Sequence, residues 1–194
     1  MNAALLIVSL LSFSGDFDAD KKSALPIESL RKTVTTVIGV CDAGDGFERQ
    51  ECKKALKQKR AKYTDAKSLY LYLGAQERGL RSDGIRKGKT RLLWTPVIDV
   101  GDGVAITLAR PKRVTKSGSI VVPTEVIDLS LEGAMTHSKV NRLLRTGQMG
   151  VEMVGTFGKT WEMRGQRGVV FIPKSIRFTH ARSGESVGEI NLKP

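Results

Sequence analysis

The chain has 194 residues, 40% hydrophobic and 27% charged, with 32 Lys and Arg against 20 Asp and Glu. This is enough apolar material for one core, and it excludes a long disordered tail, a collagen-like repeat and a polytopic membrane protein. The formal charge is +12, and two histidines with two cysteines leave no room for a His- or Cys-rich metal cage, so neither a metal nor a cofactor is expected.

Met1 to Ser14 carries no ionisable side chain, and Ala3 to Leu11 is an apolar run. The run is too short to span a bilayer, which takes about 20 residues. It matches the apolar region of a secretory signal. Ser12 and Ser14 put small residues at the minus-three and minus-one positions, so cleavage is expected after Ser14. The run departs from the usual signal in having no Lys or Arg before it. An acidic polar stretch, Gly15 to Asp20, follows, and Cys41 is too far on for a lipoprotein anchor. The expectation is export, with the mature chain periplasmic or secreted.

Cys41 and Cys52 flank a Gly- and Asp-rich segment. In an oxidising compartment this even pair reads as one disulfide, with about 3 kcal/mol of loop-closure stabilisation. The spacing excludes a redox CxxC. A calcium loop fails as well: twelve positions counted from Asp42 end on Lys53, where a bidentate Glu is needed.

Ser23-Ala-Leu-Pro26 predicts a helix start, and Ile27, Leu30, Val34, Val37 and Ile38 keep helical spacing. The β-branched residues from Thr33 to Val40 leave a strand open for the second half. Phe47 to Ala66 predicts a firmer helix. Cys52, Ala55, Leu56, Lys59 and Tyr63 share one face of it, with Lys53, Lys54, Lys57 and Arg60 largely off that face. Leu69 to Leu73 is a short strand, and Gly74 to Thr90 reads as a polar loop. From Arg91 the chain is β-rich. Arg91 to Val100 is a strand bent at Pro96, Gly101-Asp-Gly103 a hairpin turn, and Val104 to Ala109 its partner. After a basic loop, Pro111 to Gly118, comes a strand from Ser119 to Leu131, broken near Pro123. A helix runs from Thr136 to Thr146, with Gly147 as its stop. Met149 to Phe157, Lys159 to Met163, Val169 to Thr179 and Ser186 to Leu192 complete the sheet. The expected organisation is a signal peptide at 1–14, a helical segment at 15–68 and a β-rich domain at 69–194.

Three strands, a short helix and two more strands is the order of an OB-fold barrel. The passage from Leu143 through Gly147, Gly155 and Gly158 resembles the helix–glycine–strand turn of that fold. The fold class expected is α+β: a disulfide-tied helical segment followed by a small antiparallel OB-like barrel. The whole chain also resembles uncharacterised exported bacterial proteins with a signal, a two-cysteine helical start, a Leu-Tyr-Leu-Tyr-Leu strand and a β domain. That resemblance implies export and no particular activity.

Several motifs look catalytic and fail on context. Lys87-Gly88-Lys89-Thr90 suggests a P-loop, but the first glycine should stand at Asp83, and strand-like residues follow. Gly158-Lys159-Thr160 lacks its first glycine as well, with Met153 in that place. Gly184-Glu-Ser186-Val-Gly188 matches the nucleophile-elbow string, yet neither His nor Asp follows it. His137 reads as a helix-start or surface residue and His180 as a strand end. Asp99 with Asp102, and Glu185 with Glu189, read as turn and surface pairs. No enzymatic activity is expected.

The charge is concentrated. Residues 51–91 hold 13 Lys and Arg against 4 Asp and Glu, a net of +9. Such a patch attracts polyanions, and Lys53, Lys54, Lys57, Arg60, Arg86, Lys87 and Lys89 are its candidate contacts. The expected partner is an acidic envelope protein, an anionic lipid head group or an anionic glycan. Two alternatives stand beside it. One is an intracellular OB-type single-strand binder using aromatics such as Trp94 or Trp161. The other is an enzyme with a deep polar pocket.

Overall fold

The computed structural model describes residues 16–39, 41, 45–74 and 79–192. The expected signal segment and its cleavage point lie outside the described residues.

The acidic polar stretch that follows the apolar run enters a helix, α1 (Phe17–Ser23). The Asp16 carboxylate caps it, accepting from the amides of Asp18 and Ala19 at 3.0 and 3.3 Å. Acidic residues then fill its first turn and lysines its last, as the helix dipole favours. Strand β1 (Leu25–Pro26) follows, and only then α2 (Leu30–Ile38). Pro26 therefore does not start a helix. Leu25 and Ile27 donate to Ser68 and Tyr70 carbonyls at 3.0 and 2.9 Å, and the edge position tolerates a residue with no amide proton. Ser29 caps α2 instead. Thr33, Val34 and Val37 bury one face of it, so helix prevails over the β-branched composition. α3 (Gly46–Thr64) opens with a reciprocal capping box between Asp45 and Glu48. The Cys41–Cys52 disulfide is formed.

The strands are β2 (Leu69–Leu73), β3 (Leu80–Arg86), β4 (Lys89–Trp94), β5 (Val97–Gly101), β6 (Val104–Thr107), β7 (Arg113–Val114), β8 (Ile120–Val121) and β9 (Glu125–Leu129). Helix α4 (His137–Arg145) precedes two long strands, β10 (Met149–Met163) and β11 (Gln166–His180), and the chain closes with β12 (Ser186–Asn191). The large sheet has the order β1-β2-β10-β11-β6-β5, with β12 also on β11; β3-β4-β9 and β7-β8 form two smaller sheets.

The expected barrel is not supported: among the described residues no sheet closes. The cause lies at Pro96. Arg91 to Val100 is not one bent strand: Lys89–Trp94 belongs to the three-stranded sheet and Val97–Gly101 to the large one. The chain thus changes sheets at Thr95-Pro96. Part of the expected 74–90 loop is also strand, since β3 pairs with β4 through a bulge between Ser82 and Ile85. The α+β class and the disulfide hold. The two larger sheets meet over a shared core, where Trp94 packs edge-on against Phe178 at 6.3 Å between centroids. A backbone bond, Glu132 amide to Val187 carbonyl at 3.1 Å, links β12 to the segment that follows β9.

Neighbouring residues on a strand face opposite ways. Val151, Met153, Ile176 and Phe178 join the core with Val34 and Val37 of α2. Glu152 and Arg177, between them, face the other side, and α1 covers that side. Phe17 is wholly buried there, with the Arg177 guanidinium 4.4 Å above its ring.

α3 is unlike the other helices in burying no residue at all. Its sequence places only Cys52, Leu56, Ala61 and Tyr63 in partial cover, and its main neighbour is α2. The disulfide supplies constraint that packing does not. Reducing it should raise amide exchange across α3 toward free-helix rates while β10 and β11 stay protected; hydrogen exchange before and after reduction measures this. Loss of protection in the sheet at the same rate would contradict it.

Candidate functional site

The expected basic patch is carried by two elements with different neighbours. Lys53, Lys54, Lys57 and Arg60 lie on α3, which packs on α2. Arg86, Lys87 and Lys89 lie at the β3–β4 turn, whose strands pack on β9 and α4. All are exposed except Lys89, which is half-buried. Lys87 and Gly88 both have positive φ, +50° and +75°, between the paired Arg86 and Lys89. This is a tight two-residue hairpin of the I′ kind, for which the glycine is required. The P-loop resemblance is therefore a hairpin tip, with no helix to follow it.

On α3 the spacing orders the charge. Lys53, Lys57 and Arg60, at i, i+4 and i+7, share one face, flanked by Lys54. Glu48 and Glu51 fall on the opposite side of the helix. On the hairpin, the charge is partly neutralised. Arg91 donates to both oxygens of Asp128 at 2.7 and 3.0 Å, and this pairing holds the Asp128 carboxyl below the usual carboxylate range. α3 is thus the stronger half of the patch.

Sequence reasoning missed a second basic feature. Lys32 and Thr36 of α2 face Leu56, Gln58, Lys59, Lys62 and Tyr63 of α3 across a groove of about 580 Å³. The Lys62 ammonium sits 5.5 Å from the Tyr63 ring centroid. Among the described residues no carboxylate lines the groove. The phase of Lys59 between Leu56 and Tyr63 was readable, but Lys32 comes from another helix.

The remaining candidates resolve into structural roles. Asp99 accepts from the Gly101 amide at 2.8 Å, and Asp102 pairs with Arg31. Ser186 opens β12, so a strand runs on from it where a nucleophile elbow would turn into a helix. Its hydroxyl is the one buried side-chain polar atom without a partner among the described residues. His137 lies between Thr90 Oγ1 at 3.3 Å and Asn141 Nδ2 at 2.9 Å; His180 lies 2.7 Å from Ser183 Oγ. Among the described residues no three His, Cys, Asp or Glu side chains gather as a metal site. No helix there is long and apolar enough to cross a membrane. Trp94 and Trp161 are buried, so neither offers a face for base stacking. A second groove of about 590 Å³ runs between β3 and α4, lined by Leu80, Arg81, His137, Asn141 and Arg145 among others.

One dense ionic cluster remains, between α1 and the sheet. Glu152 Oε1 accepts from Tyr70 Oη at 2.6 Å and Lys21 Nζ at 2.7 Å. Arg177 donates to Glu189 at 2.5 Å and to Asp18 at 2.7 Å. Lys174 donates to Asp20 at 2.6 Å. Burial draws the Lys21 ammonium down, but its hydrogen bonds to Glu152 and Tyr70 outweigh this and hold it above its ordinary value. Burial, with the Glu152 hydrogen bond, lifts the Tyr70 phenol. Every charge here has a partner, and the cluster serves to seat α1.

No family model, curated protein or solved structure matches the chain.

Proposed function

We propose that the protein is an exported, non-catalytic binding module that engages an acidic envelope partner through α3. The reading rests above all on one observation: a 19-residue helix with no buried side chain, whose outward face gathers Lys53, Lys57 and Arg60 beside Lys54 and away from both nearby glutamates. At 1.5 Å per residue such a helix is about 28 Å long, enough to meet several anionic groups at once. A helix that buries no side chain gains little from packing. The disulfide supports the reading by tying that helix down, and it is compatible with an oxidising compartment. The partner class is an acidic protein, an anionic lipid head group or an anionic glycan, with Arg86, Lys87 and Lys89 as a secondary contact. Burial of Trp94 and Trp161 disfavours the single-strand nucleic-acid alternative.

Charge reversal tests it. Lys53→Glu/Lys57→Glu/Arg60→Glu should abolish binding to vesicles containing phosphatidylglycerol and to anionic polysaccharide, while wild-type binding falls steeply with salt. Circular dichroism should show the variant folded. Unchanged binding to every polyanion tried would mean that α3 is only a solvated face.

A further inference from the structure

Resting on the reading of α3 as an anion-binding helix, we propose that the groove between α2 and α3 is a discrete site for a phosphate group carried on a polyol. Its cationic groups are three lysines, Lys32, Lys59 and Lys62. Lysine ammoniums are compact point charges with three donors each, whereas a planar carboxylate is better met by the fork of an arginine. Three ammoniums from two helices suit a tetrahedral anion with oxygens directed several ways. No carboxylate lines the groove to neutralise them, and no ion pair to any of the three is present among the described residues.

The rest of the lining fits the carrier. Leu56 and Tyr63 are half-buried and give the groove an apolar wall against which a carbon skeleton can lie. Gln58 supplies an amide and Thr36 a hydroxyl, the latter already donating to the Lys32 carbonyl at 2.8 Å. The volume is that of a small-molecule site. The outward stripe of α3 answers a charged surface; this groove answers one group at a time.

The groove exists only while α3 lies against α2. α3 contributes no buried side chain to hold it there, and Cys52 lies in the second turn of α3, one turn before Leu56. The site is therefore assembled by the disulfide. Reduction should weaken it more than it weakens binding by the stripe, which belongs to α3 alone.

The test uses the mature chain with its disulfide intact, titrated with sn-glycerol 3-phosphate and with inorganic phosphate and followed by backbone amide shifts. Saturable shifts at Thr36, Gln58 and Lys59 are expected. They should weaken about tenfold or more in Lys32→Gln/Lys59→Gln/Lys62→Gln, three surface charge contacts being lost together. They should persist in Lys53→Gln/Lys57→Gln/Arg60→Gln. Phosphatidylglycerol vesicles form the second arm. Vesicle binding that needs both residue sets identifies a lipid head group as the source; vesicle binding that needs only the stripe identifies a free phosphoester. If the two triple variants lose phosphoester binding equally, or no saturable shift occurs at the groove, the site is overturned. Vesicle binding lost only in the stripe variant would then still leave the reading of α3 standing.

Discussion

Replacing Arg177 by alanine should cost about 3–5 kcal/mol of folding stability, the cost of breaking a buried ion pair from one side. Its side chain, only 15% exposed, bridges Asp18, Glu189 and the nearby Glu152, and its guanidinium lies over the Phe17 ring. Truncation leaves the sheltered Glu189 carboxylate without its cation, removes the second cation near Glu152 and uncovers the seat of α1. Urea denaturation gives the loss, and hydrogen exchange should show α1 released first. A change under about 1 kcal/mol, within the range of an exposed pair, would contradict this account.

The pH dependence separates the partners. The hydrogen bond from Arg177 holds the Asp18 carboxyl below its ordinary value. The stability it lends is present above the unfolded pKa and fades as pH falls through the lowered folded one. Glu189 behaves oppositely. Burial lifts its carboxyl and outweighs the attraction of Arg177. The folded state then binds its proton more tightly than the unfolded state does, so its contribution is present in acid and is lost as pH rises through the raised value. Without Arg177 nothing offsets that burial. The deficit of Arg177→Ala should therefore be larger at pH 7 than at pH 4, and Glu189→Gln added to it should remove most of the difference.

Gly168→Ala should be nearly as damaging, with a loss of about 3 kcal/mol or more. Gly168 pairs directly with Trp161 across the β10–β11 ladder. A methyl group there would overlap the Trp161 ring and the backbone carbonyl of Ala105. Trp161 is buried and its indole donates to Thr107 Oγ1 at 3.2 Å, with Thr107 itself fully covered. Displacing the ring strands that hydroxyl and strains the parallel pairing of β6 with β11. Equilibrium unfolding followed by tryptophan fluorescence should give an earlier midpoint and a redder native spectrum. Gly46→Ala, where a methyl group meets nothing within 4 Å, is the matched control and should be neutral or slightly stabilising.

Much of the fold could be read locally, and the failures have local reasons. The helices expected at Phe47 to Ala66 and Thr136 to Thr146 differ from α3 and α4 by one or two residues, because caps and spacing agree there. α1 shows no helical apolar pattern because its buried content is one residue, Phe17, and its support comes from Arg177, Lys174 and Glu152 much later in the chain. β3 does not stand out as a strand in the sequence because its bulge breaks the alternation and its side chains are mostly polar. The barrel failed at Pro96, where continuity of a β-rich run says nothing about which sheet each half joins. The charged stripe on α3 was legible because helical spacing alone aligns Lys53, Lys57 and Arg60. The groove beside it was not, since it requires knowing that α2 lies alongside.

The docking of α1 has a bearing on how the chain acquires its form. Asp18 and Arg177 lie 159 positions apart in the chain, and the surface that receives Phe17 and Asp18 consists of Glu152, Arg177 and Glu189. A polypeptide emerging amino end first carries that helix unattached until β10, β11 and β12 are present. Docking of α1 is then a late event that closes a contact of long sequence separation, and α1 cannot take its place as soon as it is made.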